Sequence, residues 1–61
     1  MTKEQKKEIA SKNWLELNRM QKTIRIKRHG ETNHKLVAHY SVILEELEHA
    51  KQIFKEVIDP E

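Results

Sequence analysis

Cysteine is absent from this 61-residue chain, and glycine, proline, tryptophan, tyrosine and phenylalanine occur once each. Without thiols, disulfide staples and thiolate metal sites are closed, and a reducing compartment suits the chain. No apolar run approaches the ~20 residues of a bilayer span, and Met1 to Glu8 lack the hydrophobic region of a signal peptide. A cytosolic protein with no membrane segment is expected. Chemistry is equally sparse: no phosphate loop, no nucleophile motif around Ser11 or Ser41, and no paired-carboxylate signature beyond surface Glu. A two-helix unit also lacks the concave pocket of an enzyme, so neither catalysis nor a cofactor is expected.

Histidine is the one metal-ligating residue type in quantity, at positions 29, 34, 39 and 49. A helical metal pair wants a spacing of four, whereas His34 and His39 are five apart and His39 and His49 ten. No metal site is implied. Chains this short often need disulfides, a metal or a partner chain to complete a core, and the partner is the route left open.

What is present is charge and periodicity. Residues 1–30 hold nine Lys/Arg against three acids, and residues 31–61 hold three against seven, so a half of +6 is followed by one of −4. The only glycine, Gly30, falls at the border. Thr2 and Gln5 have the spacing of a capping box, no Gly or Pro interrupts Lys3 to His29, and Lys27, Arg28 and His29 suit a helix C-terminus. Gly30 fits a left-handed closing residue, Thr32 or Asn33 can cap a second helix, and Asp59-Pro60 ends it. One all-α domain is predicted: a helix over about 3–29, a turn over 30–32, and a helix over about 33–58. The alternation in Thr23-Ile24-Arg25-Ile26-Lys27 is strand-like, and a first helix ending near Lys22 is the alternative there.

The second helix has the clearer pattern. Leu36, Tyr40, Ile43, Leu47, Ala50, Phe54 and Val57 follow alternating spacings of four and three, a seam of the a/d kind, which Val37, Leu44 and Ile58 widen. The first helix offers a narrower stripe of Ile9, Ala10, Leu17, Met20 and Ile24, with Asn13 among them. Such a stripe cannot cover the wide seam alone, and dimerisation of two hairpins into a four-helix bundle is expected. Off the stripe, Leu15 and Ile26 share one line, with Trp14 at the margin. These three are the proposed contacts for a larger protein partner.

If residue i faces residue 62−i, Arg25, Lys27 and Arg28 lie opposite Val37, Lys35 and His34, where nothing acidic neutralises them. Over residues 19–39, Arg19, Lys22, Arg25, Lys27, Arg28 and Lys35 meet only Glu31, a basic tip of +5; the open end, with six cations and nine acids, carries −3. Antiparallel pairing of two copies sets each tip beside the partner copy's acidic region, which in this chain is Glu45, Glu46 and Glu48.

The expected function is therefore a small regulator or inhibitor, of the kind that bacteria, phages and plasmids encode in short genes, binding a larger protein. Two alternatives stand beside it. One is a nucleic-acid-binding hairpin dimer that uses Arg19, Lys22, Arg25, Lys27 and Arg28, and the other is a structural subunit of a larger assembly.

Overall fold

The computed structural model describes residues 1–60 and contains two helices, α1 (Lys3–His29) and α2 (His34–Ile58). They pack antiparallel into a hairpin about 47 Å long and 16 Å across. The antiparallel sense follows from cross-helix pairs: Trp14 and Gln21 meet Lys51, while Arg28, about two turns beyond Gln21 toward the tip, meets Ser41.

Local chemistry starts and stops each helix. The Thr2 hydroxyl accepts the Gln5 amide at 3.1 Å and the Gln5 side chain accepts the Thr2 amide at 2.9 Å, the reciprocal capping box. Asn33, rather than Thr32, caps α2 by accepting the amides of Lys35 at 2.9 Å and Leu36 at 3.4 Å. Helix α2 opens with His34 and Lys35 and has no acid in its first turn, where the helix dipole favours negative charge. Glu31 supplies one from outside, its carboxylate accepting the amides of Thr32 and Asn33 at 3.0 Å each.

Two expectations are corrected here. Gly30 is right-handed, with φ −86° and ψ −1°, so the chain leaves α1 without the left-handed step that glycine favours. The Glu31 amide instead returns to the Arg28 carbonyl at 3.2 Å and keeps the turn tight. The cross-helix register also differs from 62−i, since Arg28 meets Ser41 and Gln21 meets Leu44 and Glu48. Residues 30–33 form the connection, and the side chains that meet across the helices lie three to ten positions further along α2 than 62−i gives. Residues 23–27 are helical throughout, because a short alternating segment has no strand to pair with and α1 continues past Lys22 to His29.

The interior of the hairpin is thin. Among the described residues Ala10 and Leu47 are its only buried apolar ones, and Gln21, 1% exposed, lies between the helices against Leu44, Glu48 and Lys51. Around these sit half-buried Leu17, Ile24, Tyr40, Ile43, Leu44, Phe54 and Ile58.

Candidate functional site

The two broad faces of the hairpin differ in chemistry. At about 100° per residue, Asn18 and Met20 lie on opposite sides of α1, and Glu48 and Val57 lie on opposite sides of α2. The side of Asn18 and Glu48 is polar. The side of Met20 and Val57 is apolar.

On the polar side a cluster of side chains joins the helices. Lys51 Nζ donates to Oδ1 of Asn18 at 2.9 Å and to Oε1 of Gln21 at 2.8 Å, and stands 4.6 Å from the centre of the Trp14 ring. Gln21 Nε2 donates to Oε2 of Glu48 at 2.8 Å, and the Glu48 carboxylate lies 3.9 Å from the same ammonium. An ammonium can only donate, so it fixes the orientation of the Gln21 amide. The Lys51 side chain is 11% exposed, and every buried side-chain polar atom among the described residues has a partner. The Gln21 hydrogen bond, then the Lys51 charge, with smaller help from Arg25 and Lys55, hold the Glu48 carboxyl below its ordinary value.

On the apolar side two grooves run between the helices. Met20, Thr23 and Ile24 of α1 line one with Ile43 and Leu47 of α2, and Arg19 borders it. Nearer the open end, Met1, Lys6, Ile9 and Ala10 line the other with Phe54 and Val57. Ile9, Met20, Leu36 and Val57 are each 40–52% exposed, so a row of large aliphatic side chains is left uncovered along the hairpin. Of the predicted stripe and seam, Ala10, Leu17, Ile24, Tyr40, Ile43, Leu47, Ala50 and Phe54 turn inward to varying degrees, while Ile9, Met20, Leu36 and Val57 form this open face.

The proposed partner contacts do not form one surface. Trp14 is half-buried beneath the Lys51 ammonium and belongs to the polar cluster, whereas Leu15 and Ile26 are 49% and 67% exposed on the outer side of α1. Sequence reasoning missed Gln21, Asn18 and Lys51 altogether. The available signal was positional: Ala10, Trp14, Leu17, Gln21, Ile24 and Arg28 follow spacings of four and three, the same a/d period as α2 with polar residues at two places.

At the basic tip Arg19, Lys22, Arg25, Lys27 and Lys35 are exposed. Arg28 is half-buried and donates to the Ser41 hydroxyl at 3.3 Å, which in turn donates to the Val37 carbonyl at 3.0 Å. Among the described residues the one ion pair is Lys51 with Glu48, so the tip cations are unpaired, although Arg25 lies close enough to help lower the Glu48 carboxyl. No group of three His, Asp or Glu converges as a metal site among the described residues. None of the helices is long and apolar enough to cross a membrane among the described residues.

No protein-family model, curated protein or solved structure matches the chain.

Proposed function

We propose that this chain is a small non-enzymatic protein-binding hairpin, a regulator or inhibitor that works by helix packing through its apolar face. The observation behind it is the uncovered row of Ile9, Met20 and Val57 lining two apolar grooves, with Leu36 exposed beyond them, on a hairpin that buries only Ala10 and Leu47 among the apolar residues described. Exposed contiguous apolar surface of this kind marks interaction sites. Self-association into an antiparallel four-helix homodimer belongs to the same reading, because one hairpin leaves Leu36 and Val57 of its seam exposed and most of the rest only half-buried. Leu15 and Ile26 add a second, smaller aliphatic line on the outside of α1.

A basic-tip reading, with nucleic acid as partner, is favoured by the unpaired Arg19, Lys22, Lys27 and Lys35. Capture of partners from native lysate, with and without nuclease, separates the two. Under the leading reading M20E with V57E abolishes capture of protein, and R19E with K22E leaves it intact. Capture that survives M20E with V57E, but is lost with nuclease or with R19E and K22E, refutes protein binding through the face. The exposed Arg19 and Lys22 are preferable targets to Arg28, whose contact with Ser41 is structural.

A further inference from the structure

We propose that the occupant of the apolar face is a second copy of this chain, stacked with the two tips at opposite ends and each helix lying antiparallel on its own counterpart. The inference rests on the protein-binding reading and names the partner for that face. Three observations support it.

The first is size. The long face of a hairpin 47 Å by 16 Å has a footprint of roughly 750 Å², close to the ~800 Å² per partner of a stable interface.

The second is the placement of side chains along each helix. In a two-fold stacking of like helices in opposite directions, residue i meets a residue at a constant minus i. On α2 the face row Leu36, Ile43, Ala50 and Val57 recurs every seven residues and is symmetric about positions 46–47, so Leu36 meets Val57 and Ile43 meets Ala50. On α1, Ile9 with Ile24 and Asn13 with Met20 are symmetric about positions 16–17. Met20 and Leu47 line one groove, which puts the two centres within about one helical turn of each other along the hairpin. A two-fold axis across the hairpin therefore passes within about one turn of the centre of each row.

The third is charge. Tip-to-tip stacking brings together two ends of +5, whereas the opposed arrangement sets each +5 tip against a −3 open end.

The chain has no cysteine, so single-cysteine variants report on this geometry without background. Lys6 and Lys27 are exposed on the apolar side, and their positions sum to the same constant as Ile9 and Ile24. Sedimentation equilibrium of the full chain should give twice the chain mass. Mild oxidation of an equimolar mixture of K6C and K27C should give a disulfide-linked dimer carrying one of each, and a mixture of K27C and H39C should not. A helical, cooperatively melting monomer at micromolar concentration overturns the proposal, and so does cross-linking of K27C to H39C in place of K6C, which is the tip-to-tip result. The lysate capture above reads the protein-binding function separately: a monomer that still captures a protein through Met20 and Val57 refutes the second copy and leaves that function standing.

Discussion

Replacing Lys51 by Met keeps most of the aliphatic stem but removes the ammonium on which the polar cluster converges. Two acceptors lose their donor, Oε1 of Gln21 at 2.8 Å and Oδ1 of Asn18 at 2.9 Å. Gln21 is 1% exposed, so its carbonyl is stranded away from water, and a buried unpaired acceptor costs about 1–3 kcal/mol. Asn18 is half-buried and recovers part of its loss by rehydration. The contact with the Trp14 ring adds about 0.5–1 kcal/mol. The expected destabilisation is about 2–4 kcal/mol, which for a domain of this size is a fall in Tm on the order of 10 °C or more. Q21L should cost far less, because it removes the stranded acceptor and frees Lys51 to swing into solvent. In the Q21L background, K51M should cost about 1 kcal/mol, leaving a coupling of about 1–3 kcal/mol between the two positions. Urea melts followed by circular dichroism supply the four values, all at one protein concentration because self-association shifts apparent stability. A coupling below about 0.5 kcal/mol would refute the argument that Lys51 is held to satisfy a buried amide.

Two further outcomes follow from the turn and from Glu48. Gly30 is right-handed and a Cβ built there meets only the Ile26 carbonyl at 3.9 Å, an ordinary contact. G30A should therefore stabilise by about 0.4–1 kcal/mol through the entropy of the unfolded chain; a loss of stability in the same melts would mean that the turn is left-handed after all. The folded-state pKa of Glu48 lies below its ordinary 4.5, so its contribution is fully present above that value and is lost as pH falls through the lowered folded value. An acid titration of stability should show this fall in the wild type and a shallower one in E48Q, while equal slopes would remove Glu48 from the linkage.

What was legible in the sequence was what short-range chemistry decides. Thr2 with Gln5, Asn33 before Lys35, and Pro60 after Asp59 each act within one turn, so spacing alone places the helix ends. The seam of α2 was legible because seven aliphatic or aromatic residues repeat without a break. The inner row of α1 was legible only at Ala10, Leu17 and Ile24, because Gln21 and Arg28 are polar residues at inner places and Met20, one position before Gln21, fits the aliphatic pattern instead. Gln21 is tolerable there only through Lys51 and Glu48, which lie 30 and 27 residues away. Neighbours that distant depend on the register, and the register depends on how Glu31 and Gly30 close the turn. The same dependence explains Trp14, whose neighbour Lys51 belongs to the other helix.

The position of the polar cluster bears on assembly as much as on the hairpin. A core whose only buried apolar residues, among those described, are Ala10 and Leu47 gains little by giving a central place to an amide, and an apolar residue there would bury more apolar surface. The amide accomplishes something else, since its two hydrogen bonds are made in one register only: a slide of α2 by one turn separates Gln21 from both Lys51 and Glu48. It also sets the two faces apart. Asn18, Lys51 and Glu48 place fixed charge and hydrogen-bond donors along one side, where a packing helix would have to desolvate them, whereas the side of Met20, Ile43 and Val57 is chiefly aliphatic, with Asn13, Lys6 and Lys27 as its polar members. A hairpin with apolar residues on both faces would stack in several ways. With Gln21 and Lys51 in place, one of the two broad faces is apolar, and under the proposed stacking it is the face on which the rows of α1 and α2 repeat symmetrically.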